Sequence, residues 1–146
     1  MNILLINHYA GSQQHGMEFR PYYLAKEWVK KGHQVTIIGA SYSHLRTQNI
    51  EINAGFMFEE QIEGIRYIWL KTSEYANNGL SRLKNTFEFS FLLYKHAKKL
   101  CNMIQPDVVL ASSPHPFIFY GAKKIAKKGN CKIVFEVRDL WPLSMI

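Results

Sequence analysis

Residues 1–40 read MNILLINHYAGSQQHGMEFRPYYLAKEWVKKGHQVTIIGA, and the order of polar and apolar residues in this stretch decides the fold. Residues 2–7 are mostly apolar and are predicted to form a short strand. Residues 8–16 form a polar loop with two glycines, and residues 17–31 have the apolar spacing of a helix. A glycine ends that helix, and residues 35–39 form a second, β-branched strand. A complete β-loop-α-β unit is therefore predicted within this stretch.

The rest of the chain continues the alternation of strands and helices. The predicted elements are a loop at 41–60, a strand at 62–70, a loop at 71–79, a helix at 81–103 capped by Ser81, a strand at 108–111, a helix at 117–128 and a strand at 131–137. Such alternation favours an α/β fold with a parallel, doubly wound, Rossmann-like sheet and right-handed crossovers. Because no helix follows the last strand, we expect this sheet to be truncated.

Length, composition and charge limit the class of protein. A chain of 146 residues fits one domain, and an apolar content of 47% is too high for a disordered chain. No apolar run approaches the roughly 20 residues of a membrane span, and the apolar start lacks the basic segment of a signal peptide. A cytoplasmic location is therefore predicted. The net charge of +7 favours nucleic acid, anionic lipid or a phosphorylated ligand as partner, although lysines at helix ends also complement the helix dipole.

Polar residues follow the fourth and fifth predicted strands, at the edge where α/β sheets bind ligands. Glu136, Arg138 and Asp139 lie at the end of the fifth strand, and His115 lies in the loop after the fourth. Glu136 and Arg138 are two residues apart on one face, so they either pair with each other or bind a ligand. His115 is either an exposed loop imidazole or a ligand contact. A small polar ligand is predicted at this edge.

The first loop carries Gly11 and Gly16 between a strand and a helix, a position where backbone N–H groups can hold a phosphate. Their G-x4-G spacing is neither a Walker loop nor a dinucleotide fingerprint. A tight turn and a phosphate contact both remain open. The six histidines lack the spacing of metal ligands, and the two cysteines, Cys101 and Cys131, are far apart. No metal and no cofactor are predicted.

Three stretches together resemble glycosyltransferase family 4, and in particular its bacterial O-antigen and capsule transferases such as the N-acetyl-L-fucosamine transferases. Residues 8–21 resemble the family's first loop, and residues 24–36 resemble its G-H-x-V signature. Residues 135–142 resemble the V-R-D-L-W-P segment of that subgroup. The order of the three stretches makes the resemblance specific, and it extends over the whole chain.

The resemblance implies a GT-B fold, in which two Rossmann-like domains face each other across a cleft. Residues 1–146 would be the N-terminal, acceptor-side domain, and the C-terminal, donor-binding domain would be absent. The implied reaction transfers a sugar from a nucleotide sugar to a lipid-linked saccharide, with retention of configuration and without a metal, in surface polysaccharide synthesis. The full-length protein would be the enzyme, and this chain alone would be inactive.

The resemblance also implies two groups of binding residues. The loop near the donor phosphate would comprise Gly11, Gly16, Met17 and Glu18. The acceptor side would comprise Arg20, His115, Arg138 and Asp139. The N–H of Gly16 would approach the diphosphate, and Met17 and Glu18 would open the first helix. Arg138 occupies a position where many members of the family have His, so a role that depends on an imidazole is not implied there.

Other classes of function remain open beside the transferase. One is a non-catalytic Rossmann-like module that binds a nucleotide or a partner. A nucleic-acid-binding domain is disfavoured, because neither a recognition helix nor an aromatic and basic sheet motif is present. The phenylalanines and lysines of the 80–103 segment fit either a core helix with a solvated lysine face or a peripheral contact with the inner face of the membrane. The expected partners are a nucleotide sugar, a lipid-linked saccharide and the membrane surface.

Overall fold

The computed structural model describes residues 1–76 and 79–139. Its elements are β1 (Asn2–Ile6), α1 (Arg20–Lys30), β2 (Gln34–Ala40), β3 (Met57–Ile62), β4 (Ile65–Leu70), α2 (Leu80–Lys95), α3 (Ala97–Ile104), β5 (Val108–Ser113), α4 (Ile118–Gly129) and β6 (Lys132–Val137). One sheet contains the six strands in the order β3-β4-β2-β1-β5-β6. Every neighbouring pair is parallel except β3 and β4. The predicted α/β, Rossmann-like fold is confirmed, with an antiparallel strand at one edge.

The core has two layers, because both faces of the sheet are apolar. Leu5 of β1 packs on the side of α1, where Tyr22 is fully buried. Leu4, next in the chain, points to the opposite face and packs with Phe89 of α2 and with α3 and α4. Successive residues of a strand point to opposite faces, and fully burying one such side chain stabilises the fold by about 1.5–3 kcal/mol. A central strand that is apolar throughout is the expected result of this arrangement.

The single strand predicted at 62–70 is instead a hairpin of β3 and β4. Glu63 and Gly64 link the two strands, and both have positive φ angles, of 49° and 80°. A two-residue loop with this backbone matches the twist of antiparallel strands, and glycine adopts it without steric cost. The predicted strand therefore includes the end of β3, the turn and β4, and the predicted loop at 41–60 contains the start of β3. Gly64 was the sequence signal for the turn.

The helix predicted at 81–103 is two helices, α2 and α3. His96 lies between them with φ −96° and ψ 11°, and its ring stacks on Phe56 with 3.7 Å between the ring centroids. The predicted cap at Ser81 is also wrong, because α2 begins after Gly79 and has no side-chain cap. The break between α2 and α3 thus coincides with a contact to Phe56, which is distant in sequence. Helical periodicity did not reveal this break.

The first helix begins at Arg20, later than the predicted start at residue 17. Met17 and Glu18 therefore do not open the helix, and they belong to the loop. The backbone of Glu18 bonds within that loop, since its N–H donates to the carbonyl of Tyr9 and its carbonyl accepts from Gly11. Proline in the first turn fixes the backbone angle that starts a helix, which favours a start just before Pro21.

Candidate functional site

The strand order creates a crevice at the carboxyl ends of β1 and β5. From β1 the chain continues to β2 on one side, whereas β5 pairs with the other side of β1. Loops that leave two such strands diverge, and ligands of open α/β sheets bind at this switch point. A cleft of about 790 Å³ lies at this edge, bounded by the loops after β1, β2 and β5, the start of α2 and the end of β6.

The structure brings four of the predicted site residues together in this cleft. Its lining includes Glu18, His115, Arg138 and Asp139. Arg20 is not among the lining residues, and neither are Gly11, Gly16 and Met17. The rest of the V-R-D-L-W-P motif, residues 140–142, lies outside the described residues. A cleft therefore lies where the sequence predicted a polar site, at the ends of the fourth and fifth predicted strands.

Two ion pairs that the sequence did not predict join the end of β6 to the residues around the start of α1. Arg20 binds both carboxylate oxygens of Glu136, with one N–O distance of 2.8 Å, and Ser112 donates its hydroxyl to the same carboxylate at 2.7 Å. Arg138 pairs with Glu18 at 3.0 Å. The alternative of an ion pair between Glu136 and Arg138 is therefore wrong, because each residue finds its partner near the start of α1.

Gly11 and Gly16 form a tight turn. Gly16 has φ +93°, and its N–H donates to the carbonyl of Ser12 at 2.8 Å. The N–H of Gly11 donates to the carbonyl of Glu18 at 3.0 Å, and a Cβ on Gly11 would lie 2.0 Å from the carbonyl oxygen of Gly16. Both N–H groups thus bond within the loop. A phosphate contact at Gly16 stays a prediction, and it would require the bond to Ser12 to open.

A chain of polar contacts, here called the loop clamp, holds the first loop against the sheet through Ser12, His15 and Glu60. The hydroxyl of Ser12 lies 2.9 Å from Nδ1 of His15, and Nε2 of His15 lies 3.2 Å from Glu60. Trp69 donates its indole N–H to the same carboxylate oxygen at 2.6 Å. Burial lowers the pKa of His15, while Glu60 opposes that shift. Ser12 is fully buried, and none of these three residues lines the cleft.

A second polar cluster lies at the base of the cleft and comprises two imidazoles, His8 and His115, here called the histidine pair. Nδ1 of His8 lies 2.8 Å from Nε2 of His115, and Nε2 of His8 lies 2.6 Å from Oδ1 of Asn85. Burial, with a contribution from the neighbouring imidazole, holds the pKa of His8 well below its usual value. Burial also lowers the pKa of His115 to about 4, so both rings are neutral at neutral pH.

Two aspects of the histidine pair differ from the prediction. His115 is only 6% exposed, so the interpretation as an exposed loop imidazole is wrong, although the ring still lines the cleft. His8 and Asn85 are fully buried and were not predicted as site residues. A polar residue directly after a buried strand, as at His8, was the available signal. Nothing in the spacing of Asn85 indicated that it faces the end of β1.

The remaining wall of the cleft is formed by aromatic and cationic side chains that the sequence did not single out. Arg82 donates from Nε to the hydroxyl of Tyr9 at 3.1 Å, and its guanidinium lies 5.5 Å from the centre of that ring. His44 contacts the hydroxyl of Tyr75 at 2.7 Å. Leu83 and Phe117 add apolar surface. The cleft therefore combines donors, acceptors and apolar faces, as small-molecule sites usually do.

The fold and the cleft at the switch point define the class as a Rossmann-like α/β domain. The sequence profile of Glycosyltransferase Family 4 matches residues 15–145. The chain belongs to glycosyltransferase family 4. No curated protein sequence matches the chain.

Two crystal structures of another protein share this fold. The chain is similar to the C-terminal domain of the PF1911 hydrogenase from Pyrococcus furiosus in two crystal structures, of residues 78–226 and 83–215 of that protein. The sequence identities are 18% and 17%, and the TM-scores are 0.60 and 0.58. Each comparison covers 92% of this chain and 89% of the other. At such low identity the likeness concerns the fold alone.

Two features are absent from the described residues, 1–76 and 79–139. None of the helices in these ranges combines the length and apolar character needed to cross a membrane. Within the same ranges, no three His, Cys, Asp or Glu side chains are grouped so that they could hold a metal ion.

Proposed function

We propose that this chain is the acceptor-binding domain of a glycosyltransferase and that the cleft at the ends of β1 and β5 receives the saccharide acceptor. The observation that carries the proposal is the position of the cleft in a family 4 domain, with Glu18, His115, Arg138 and Asp139 in its wall. The donor is a nucleotide sugar held mainly by a second Rossmann-like domain. The sugar is transferred with retention of configuration.

The charges in the cleft support a hydroxyl-rich ligand. The guanidinium groups of Arg82 and Arg138 and the carboxylates of Glu18 and Asp139 line the same space, so positive and negative charges balance. A polyanion would gain little from such a surface, whereas sugar hydroxyls can donate to carboxylates and accept from guanidinium groups. Phe117 offers an apolar face for the ring of a sugar.

In this proposal the domain contributes to catalysis by orientation. Holding one acceptor hydroxyl towards the anomeric carbon of the donor replaces a random encounter with an aligned one. The negative charge that develops on the departing nucleotide diphosphate is stabilised electrostatically, largely by the second domain. A Rossmann-like module without catalysis is the alternative, and it predicts binding of a nucleotide or a protein in place of a saccharide.

Saturation-transfer NMR on this chain tests the proposal. The probes are methyl glycosides of common hexoses and of N-acetylated amino sugars, with UDP and dTDP nucleotides as a second set. We expect a glycoside to bind, binding to weaken when Arg138 is changed to Ala, and the exposed change Lys127→Ala to have no effect. Binding of nucleotides without any glycoside would favour the alternative. Sugar transfer by this chain alone would contradict the division of labour between two domains.

We further propose that the acceptor is lipid-linked and that α2, α3 and α4 face the cytoplasmic membrane surface, a role in surface polysaccharide synthesis. These helices carry nine of the 18 Lys and Arg residues of the chain, but only one of its 11 Asp and Glu residues. The net charge of +7 therefore resides on this layer. Phe87, Phe91 and Tyr94 form an exposed stripe on α2, at 51%, 61% and 48% exposure, and Tyr120 of α4 is 65% exposed. A basic surface with exposed aromatic rings is typical of peripheral membrane contacts.

Flotation with vesicles tests the membrane contact separately. Vesicles of phosphatidylcholine with phosphatidylglycerol should bind the chain, and vesicles of phosphatidylcholine alone should bind it weakly. The double change Phe87→Ser and Phe91→Ser should abolish flotation. Phe58→Ser is the matched control, because Phe58 is 46% exposed on β3, outside the helical layer. Equal binding to both vesicle types, or equal loss in the control, would contradict the proposal.

A further inference from the structure

The loop after β2 contributes His44, an exposed imidazole, to the lining of the cleft. The hydroxyl oxygen of Tyr75 lies 2.7 Å from Nδ1 of His44 and 3.3 Å from the backbone nitrogen of the same residue. Tyr75 is only 5% exposed, and its ring packs edge-to-face with Tyr42 at a centroid distance of 5.0 Å. An exposed imidazole is therefore held in place by a buried phenol.

The hydrogen of this phenol can be assigned from its two contacts. The backbone N–H of His44 can only donate, so the hydroxyl oxygen of Tyr75 accepts it. The O–H of Tyr75 then needs an acceptor, and among the described residues Nδ1 of His44 provides it. If Nδ1 donated instead, one oxygen would receive two N–H groups, and the hydrogen of a buried phenol would lack a partner, which is unfavourable. Nδ1 of His44 therefore accepts.

The second nitrogen of His44 consequently carries the hydrogen of the ring. Burial, with a contribution from the positive charge of Arg82, lowers the pKa of His44, so the ring is neutral at about pH 7. A neutral imidazole has one N–H, which is on Nε2 when Nδ1 accepts. The two nitrogens of an imidazole point in nearly opposite directions, so Nε2 points away from Tyr75. It forms no hydrogen bond with any residue in the ranges 1–76 and 79–139.

We propose that His44 is a specificity-determining residue of the cleft, which donates a hydrogen bond from Nε2 to a hydroxyl oxygen of the bound saccharide, and that Tyr75 is a positioning residue that holds His44 in the Nε2–H tautomer. The inference rests on the proposed function, because it takes the ligand to be a saccharide. The neutral donor complements the carboxylates of Glu18 and Asp139, which line the same cleft and accept hydrogen bonds. His44 thus selects for an oxygen acceptor at one position of the ligand.

Long-range ¹H–¹⁵N NMR of the labelled chain reads the tautomer of His44 directly, without any ligand. At about pH 7 we expect Nε2 of His44 to be protonated and Nδ1 to be unprotonated. A proton on Nδ1, or an imidazolium, would overturn the inference. This result does not depend on what the cleft binds, so it separates the inference from the proposed function.

The change Tyr75→Phe tests the positioning role, because it removes the hydroxyl and keeps the ring that packs on Tyr42. Without this donor, His44 should populate both tautomers, and its two nitrogen shifts should approach each other. Tyr23→Phe is the matched control, since Tyr23 is 50% exposed on α1, and it should leave the shifts of His44 unchanged. A purely structural role for Tyr75 would lower the melting temperature without moving these shifts, and that outcome would overturn the positioning role.

Two changes at His44 test the ligand contact and do not depend on the stability of the Tyr75 variant. In His44→Gln the amide nitrogen can replace Nε2, whereas in His44→Asn the amide reaches only the position of Nδ1. With a methyl glycoside that binds the unaltered chain, His44→Gln should retain affinity and His44→Asn should lose about tenfold. Equal affinities of the two variants, or the reverse order, would overturn the contact while leaving the proposed function intact.

Deoxy analogues of the same glycoside, each with one hydroxyl replaced by hydrogen, identify the atom that His44 contacts. We expect one analogue to bind the unaltered chain about tenfold more weakly than the parent glycoside, and to bind His44→Asn as well as the parent does. An equal loss in both chains for every analogue would overturn the contact. If no glycoside binds the unaltered chain although the tautomer is as expected, the proposed function and the saccharide contact both fail, and the tautomer assignment stands.

Discussion

The histidine pair and the loop clamp both contain histidine side chains at the same edge of the sheet. The histidines of the two clusters contact different groups. The contacts of His8 lead to the amide of Asn85, whereas those of His15 lead to the carboxylate of Glu60. Burial lowers the pKa of both His8 and His15, and this shift is opposed by the hydrogen bond to Asn85 in the first case and by the carboxylate of Glu60 in the second. Full burial therefore keeps the imidazole of His8 neutral, whereas the carboxylate beside the less buried His15 favours the protonated form of that ring.

The largest expected effect is a loss of stability caused by a change in the first loop, which the loop clamp holds against the sheet. In Gly11→Ala the new Cβ would meet backbone atoms of Gly16, Met17 and Glu18 at 2.0 to 2.7 Å. Overpacking against backbone that cannot move should lower the free energy of unfolding by about 3 kcal/mol, measured by urea denaturation. Gly79→Ala is the control, because nothing lies within 4 Å of its Cβ. A loss as small as in the control would mean that the first loop repacks freely.

The next effect concerns the histidine pair and pH. The pKa of His115 is lowered from 6.5 to about 4 by burial, so between these values the unfolded chain binds a proton that the folded chain does not. Stability is therefore complete above about pH 6.5 and is lost as the pH falls towards 4, by an amount on the order of 3 kcal/mol. His8, whose pKa is also lowered, acts in the same direction.

Denaturation at a series of pH values measures this loss, and His115→Gln should flatten the dependence. The amide of Gln can still donate to Nδ1 of His8, so the variant removes a titrating group and keeps a donor. An unchanged slope in the variant would show that His115 does not carry the acid sensitivity.

A smaller effect of opposite sign is expected at the loop clamp. In Glu60→Gln the carboxylate that raises the pKa of His15 is gone, so that pKa falls further and acid destabilises the fold more steeply. The difference should be on the order of 1 kcal/mol near pH 5, from the same pH series. Glu59→Gln is a matched control on the same strand, because Glu59 pairs with Arg66. A flatter slope in Glu60→Gln would contradict the distinction between the clusters.

The smallest effect belongs to a contact that takes part in neither cluster. Arg20 and Glu136 form a bidentate ion pair, but their side chains are 43% and 28% exposed. Arg20→Ala should therefore cost about 0.5 kcal/mol at low ionic strength, and the difference should vanish in about 1 M salt. Denaturation curves at both salt concentrations provide the measurement. A larger, salt-independent loss would mean that this pair also organises the first loop.

Local patterns predicted most of the fold, and the exceptions share a cause. The alternation of strands and helices follows from apolar periodicity, which the chain carries locally. The hairpin at Glu63 and Gly64 was missed because most of β3 is polar and was predicted as loop, and because the two turn residues were read as part of a strand. The break at His96 coincides with stacking on Phe56, a residue 40 positions earlier that periodicity cannot identify.

The edge that carries the site was predictable, but the pairs within it were not. His115 and Arg138 were candidates because they follow predicted strands. Arg138 nevertheless pairs with Glu18, 120 residues away in sequence, and His115 pairs with His8, 107 residues away. Spacing rules describe neighbours along an element, whereas these partners meet only because β1, β5 and β6 lie side by side.

The sequence by itself determined the succession of strands and helices and the edge of the sheet where polar residues collect, because apolar burial acts on each segment through its own periodicity. It also carries the three motifs that resemble family 4. Only the tertiary structure decided that His8 contacts both His115 and Asn85 and that the first loop bonds to itself. Hydrogen bonds between buried side chains depend on distances of a few ångströms, and those distances exist only after the strands have assembled.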